Sequence, residues 1–155
     1  MTFQLNKISL YSKYFTVLLL LGFGSIVHAQ DGTLSVITNI KGAPANLSMA
    51  ELKSVLKGER QRWGDGTKVS IVLMMTKTAV GKTTCFKIYG MSGDKLKRYW
   101  AGLQLAGKAD APTFCNSEEE LMSNIADNPG AIGIIDKILI NPNIKVTTID
   151  GKKSF

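Results

Sequence analysis

Apolar runs of strand length alternate with helical patterns along most of this 155-residue chain. Residues 34–40 are rich in β-branched side chains, and residues 69–75 form a mostly apolar run of the length of a buried strand. Two further runs of this kind are residues 131–135 and 144–149. Strands that alternate with helices and form a largely buried sheet are typical of α/β proteins. The alternation therefore predicts an α/β fold.

Three serines mark where helices should begin. Ser48 with Glu51 and Ser117 with Glu120 have the spacing of a capping box, in which serine and glutamate satisfy each other's backbone N–H groups. Ser92 is placed to cap a further helix. These residues predict one helix between the first two strands and two more after the second strand.

Residues 1–29 have the three parts of a cleavable export signal. Lys7 and Lys13 provide a positively charged start, and an apolar run of about 13 residues (14–26) follows. That run is shorter than the roughly 20 residues that a membrane-spanning helix needs. Residues 27–29 fit a cleavage site. We expect cleavage before Gln30 and a soluble periplasmic protein.

The remaining segment, residues 30–155, is about 126 residues long, which predicts one domain with one core. Removal of Lys7 and Lys13 lowers the net charge from +7 to +5, and the single histidine, His28, is removed as well. Without an imidazole, Ser-His-Asp and Cys-His mechanisms are excluded and most zinc sites become unfavourable. Lysines and arginines are scattered rather than clustered, which argues against nucleic-acid binding. We predict no catalytic residues, metal or cofactor.

Cys85 and Cys115 are the two cysteines of the chain. An even count in an exported protein permits a disulfide, which would close a loop of about 30 residues. Their spacing fits neither a redox motif nor a metal motif. Two buried free thiols are the alternative, and the sequence leaves both arrangements open.

The polar loop after the second long strand is the segment best suited to bind an anion. We predict a loop over residues 76–82 and a helix over residues 83–89, so that the start of the helix presents unpaired backbone N–H groups. A capped helix start with solvated lysines is the alternative. Gly81-Lys82-Thr83 matches the end of a P-loop, but Thr76 stands where the first P-loop glycine is required. The candidate ligand-binding residues are Lys77, Gly81, Lys82, Thr83 and Thr84.

Several motifs together resemble the phosphate-binding proteins of phosphate ABC transporters, especially short members of the size of a single lobe. The resemblance covers roughly residues 34–149. It includes the strand, basic residue and Gly/Thr loop just described. The other motifs that carry it are Leu56-Lys57-Gly58, Trp63, Gly66, Phe86, Tyr99-Trp100, Gly107 and Asn128-Pro129-Gly130-Ala131-Ile132-Gly133.

The resemblance implies a single domain of the periplasmic-binding-protein type (type II) with a mixed, mostly parallel sheet. It also implies a phosphate-like oxyanion as ligand and a membrane transporter as partner. The family's phosphate loop usually has an arginine followed by Gly-Ser-Gly-Thr. Here Lys77 stands near the arginine position, residues 80–82 replace Gly-Ser-Gly, and Thr83 matches the threonine. Lysine is a point charge, whereas arginine binds oxyanions in a bidentate way.

A second function is compatible with the same residues. The chain could keep the fold without ligand binding and dock on another envelope protein as a non-catalytic interaction module. Affinity for an oxyanion distinguishes the two hypotheses.

Overall fold

The described residues, 33–137 and 141–155 of a computed structural model, form one mixed sheet with helices packed on it. Its strands are β1 (Ser35–Asn39), β2 (Asn46–Leu47), β3 (Ser70–Met74), β4 (Thr113–Cys115), β5 (Ala131–Ile135) and β6 (Ile144–Ile149). The helices are α1 (Met49–Leu56), α2 (Ala79–Thr84), α3 (Gly93–Leu105) and α4 (Glu118–Asp127), with a π-helical turn at Cys85–Tyr89 directly after α2.

The strand order is β2-β6-β1-β5-β3-β4. β3 runs parallel to both β4 and β5, and β2 runs parallel to β6. β1 lies between β5 and β6 and is antiparallel to both, with Ile37 opposite Gly133 on one side and Val146 on the other. The sheet is therefore mixed with mostly parallel pairs, which confirms the predicted fold class.

The helix starts agree with the serine caps. Ser48 and Glu51 form the full capping box: the Ser48 N–H donates to Glu51 Oε2 at 2.8 Å, and the Glu51 N–H donates to Ser48 Oγ at 3.2 Å. Ser92 caps α3, and Ser117 caps α4 by accepting from the Glu120 N–H at 3.2 Å. The second box is not reciprocal, because Glu120 Oε2 accepts from the N–H of Asn116 instead of Ser117.

Motifs that are distant in the sequence contact each other in the core. The Tyr99 hydroxyl donates to the Lys57 carbonyl at 2.7 Å. Trp100 is 2% exposed, and a Cβ atom added at Gly58 would lie 3.0 Å from its ring. Trp63 Nε1 donates to the Gly130 carbonyl at 2.8 Å. The first two contacts join the end of α1 to α3, and the third joins the segment before β3 to the turn before β5. Both tryptophans therefore have structural roles.

The predicted export signal and the boundary at residues 29 and 30 lie outside the described residues, and both remain predictions. The described residues from Thr33 onward belong to one compact unit. None of the helices within the described ranges has the length and apolar character required to cross a bilayer.

Candidate functional site

The helix after β3 begins earlier than predicted. Thr78 is its N-cap, and α2 starts at Ala79 instead of residue 83. The Thr78 hydroxyl donates to the Met75 carbonyl at 2.9 Å and accepts from the Gly81 N–H at 3.0 Å. The Lys82 N–H donates to the Thr78 carbonyl at 2.9 Å. The prediction of unpaired N–H groups from Gly81 onward is therefore wrong, because these positions lie inside the helix.

Three of the five candidate residues have structural roles. Gly81 is buried against the end of β3. The Thr83 hydroxyl donates to the Ala79 carbonyl at 3.0 Å, and Thr84 is 3% exposed. Lys77 and Lys82 are exposed and remain available to a ligand.

Lys77 and Lys82 line an open groove of about 740 Å³ at the carboxyl end of β3. Two more lysines, Lys95 and Lys97, enter it from the first turns of α3. Asp94 is the one carboxylate among the described residues that line it. In open α/β sheets, ligands bind outside the carboxyl ends of strands, so both the place and the positive charge favour an anionic ligand.

The start of α3 is fixed against the loop after β3. A Cβ atom at Gly93 would lie 2.7 Å from Thr76 Cβ, so glycine permits the close approach of the two segments. The first turn of α3 consequently lines the groove, and within it the Lys95 N–H donates to Ser92 Oγ at 3.4 Å.

The groove is also lined by apolar side chains. Phe86 in the π-helical turn is 80% exposed and lines the groove together with Met91. The neighbours of Phe86 in this turn that face the core are Cys85, Ile88 and Tyr89. In the sequence, Phe86 enters only as part of a resemblance, and its position between Cys85 and the pair Ile88-Tyr89 is the available signal that it points outward.

The same edge of the sheet also carries carboxylates that sequence reasoning did not bring together. Glu118, at the start of α4, faces Asp136, which directly follows β5. Partial burial and the charge of Asp136 raise the pKa of Glu118, and Lys137 opposes this shift from 3.9 Å. These carboxylates disfavour an anion near α4, so the lysine groove is the part of this edge that suits one. In the described part of the chain, no group of three His, Cys, Asp or Glu side chains could hold a metal ion.

Cys85 and Cys115 are both free thiols and both buried, which is the second of the two predicted arrangements. Burial raises the pKa of each thiol. Cys115 contacts Asn124, whose Nδ2 lies 3.8 Å from the sulfur. Neither cysteine is placed as a reactive thiolate, because a raised pKa keeps the thiol protonated at neutral pH.

Comparison with solved structures places this arrangement in a known fold. The chain is similar to an ABC-type phosphate transport receptor from Vibrio cholerae (TM-score 0.61, 13% identity, 84% of this chain and 55% of the receptor covered). It is also similar to PstS from Borrelia burgdorferi (TM-score 0.55, 13% identity, 79% and 53% covered). The chain has the periplasmic-binding-protein fold.

At this identity the likeness establishes the fold and not membership of the receptors' family. No protein-family model matches the chain, and no curated protein matches its sequence. The chain spans just over half the length of these two receptors.

Proposed function

We propose that this protein is a non-catalytic binding domain that takes a small oxyanion such as phosphate in the lysine-lined groove. The observation that carries the proposal is the placement of Lys77, Lys82, Lys95 and Lys97 around one groove at the carboxyl end of β3. One of the two structural neighbours is a phosphate transport receptor, which supports phosphate as the anion. A membrane transporter or another envelope protein is the proposed partner.

The positive charge of the lysine side chains, more than the backbone N–H groups at the start of α2, would hold the ligand. Because the N–H groups of Gly81 and Lys82 already bond to Thr78, the proposed contacts are the ammonium groups of Lys77 and Lys82. Lys95 and Lys97 add to the positive field. Hydrogen bonds to charged groups contribute roughly 1.5–3 kcal/mol each. The groove is open to solvent, so its affinity for an anion should fall as the salt concentration rises.

Calorimetric titration with phosphate and sulfate tests the proposal. Lys77→Ala and Lys82→Ala should each weaken binding about tenfold, by the loss of one charge-assisted contact. Lys153→Ala is the matched control, because it removes the same charge from an exposed lysine that does not line the groove. Equal affinity in all four proteins, or no affinity in the wild type, contradicts the proposal. The second outcome would favour the docking module.

Export is part of the same proposal. The three-part pattern of residues 1–29 supports secretion, and a periplasmic receptor fold is compatible with it. N-terminal sequencing of the protein recovered from the periplasm should begin at Gln30. Recovery only from membranes, with Met1 still present, contradicts this.

A further inference from the structure

We propose that the natural ligand of the groove is a phosphate monoester with a flat, apolar organic group, and not inorganic phosphate. This inference rests on the proposed function, since it assigns the phosphoryl group to the lysines. It adds that the organic group packs on Phe86. The chemical class is therefore an organophosphate with an aromatic ring.

The exposure of Phe86 is the first observation. A single exposed apolar side chain is ordinary on a protein surface. Phe86, however, is 80% exposed and lines the open groove, with Lys82 and Met91 among the other lining residues. The arrangement places an aromatic face and cations within one binding surface. Pockets for organic ligands combine apolar walls with a few polar groups in this way.

The size of the groove is the second observation. Its volume of about 740 Å³ lies within the range of roughly 300–1,000 Å³ that is typical of sites for organic molecules. An inorganic phosphate bound by the lysines would fill only part of this volume. Gly90, at the end of the π-helical turn, leaves open space in the lining of the groove, because a Cβ atom at this position would meet nothing within 4 Å.

The charges of the groove agree with a monoester. A phosphate monoester carries a charge near −2 at neutral pH, as a phosphorylated side chain does. Four lysines against Asp94 give the groove a net positive charge that exceeds what one such group requires. A ligand of this class would therefore be attracted by charge and oriented by its ring.

Titration of the whole protein with phenyl phosphate, methyl phosphate and inorganic phosphate tests the inference. Phenyl phosphate should bind about fivefold more tightly than methyl phosphate, the range expected for one aromatic pair. Phe86→Ala should abolish this preference and change the affinity for inorganic phosphate less than twofold. Leu105→Ala is the control, because Leu105 is 90% exposed and does not line the groove. It should leave all three affinities unchanged.

The outcomes separate the two proposals. If inorganic phosphate binds and Lys82→Ala weakens it, but phenyl and methyl phosphate bind equally, only the ring-bearing ligand is ruled out. A phenyl preference that survives Phe86→Ala also overturns it. If none of the three anions binds, both proposals fail. Circular dichroism of Phe86→Ala during heating confirms that the variant is folded, as expected for the loss of an exposed side chain.

Discussion

Gly81 lies directly against the end of β3: a Cβ atom at this position would stand 2.1 Å from the carbonyl oxygen of Met75. The same carbonyl accepts hydrogen bonds from the N–H and the hydroxyl of Thr78. Strand, cap and helix are thereby joined at one backbone group. The placement of Lys77 and Lys82 on either side of this junction depends on that close contact.

Gly81→Ala should destabilise the protein by about 3 kcal/mol or more, because the obstructing atoms are backbone and cannot rotate away. Gly102→Ala is the matched control, since Gly102 lies within α3 and a Cβ atom there would meet nothing within 4 Å. That change should stabilise the protein by about 0.5–1 kcal/mol through helix propensity. Denaturant unfolding measures both, and similar effects in the two variants would contradict the contact at Gly81.

Only part of this junction can be predicted from the sequence. Ser48 was recognisable as a cap because Glu51 completes a box, and α1 begins as expected. Thr78 has glycine three residues later, so no capping box marks it, and the start of α2 predicted from the sequence is too late. The sequence still predicts Lys77 and Lys82 as candidates, since their charge and their position after a buried strand do not depend on where the helix begins.

Other features could not be predicted because they depend on contacts between distant segments. The two shortest strands, β2 and β4, have two and three residues, too few for an alternating pattern. The antiparallel insertion of β1 between β5 and β6 leaves no periodic signal in the sequence. The approach of Glu118 to Asp136 follows from the order of β4, β3 and β5 in the sheet.

Asn39 holds the carboxyl end of α4 against the sheet. Its Nδ2 donates to the carbonyls of Ile125 and Ala126, both at 2.9 Å, and its Oδ1 accepts from the Lys41 N–H at 2.8 Å. Asn39→Ala should lower the free energy of unfolding by about 2–4 kcal/mol, because buried carbonyls at the helix end lose their donors. Asn143→Ala removes an exposed amide and should change it by less than about 0.5 kcal/mol. A small effect at Asn39 would mean that water replaces its bonds.

The capping box of α1 should make the free energy of unfolding depend on pH in the acidic range. Hydrogen bonds from the backbone and side chain of Ser48 lower the pKa of Glu51. The resulting stabilisation is present above the ordinary pKa of glutamate and is lost as the pH falls through the lowered folded-state pKa. Glu51→Gln keeps a capping side chain but cannot titrate, so its stability difference from the wild type should shrink toward low pH. Unfolding measured between neutral pH and about pH 3 follows this difference.

The contribution of Glu118 to stability should depend on pH with the opposite sign. Its pKa is raised by burial and by Asp136, so the folded state holds a proton more tightly than the unfolded state does. Its contribution to stability therefore falls as the pH rises from the ordinary pKa through the raised one. Relative to the wild type, Glu118→Gln should gain stability over that interval. If the stability differences of Glu51→Gln and Glu118→Gln from the wild type changed in the same direction with rising pH, the opposite environments of the two carboxylates would be contradicted.

Both cysteines should be alkylated only after unfolding. Cys85 is 4% exposed and Cys115 is fully buried, and burial raises the pKa of both thiols, so the native protein should react slowly. After denaturation without reductant, intact-mass measurement should show two added alkyl groups. No added group would demonstrate a disulfide and contradict the free thiols of the structure.

The position of β1 between β5 and β6 governs when the protein can fold. Val36 pairs with Thr147, and the backbone groups of Leu34 exchange hydrogen bonds with those of Phe155 at 2.9 and 3.0 Å. Such pairings between remote segments slow folding, because a long loop must close before any contact compensates for it. Of the strands in the described residues, β1 comes first in the chain, and its partners β5 and β6 come last. The centre of the sheet can therefore form only when residues 131–149 are available, wherever the chain folds.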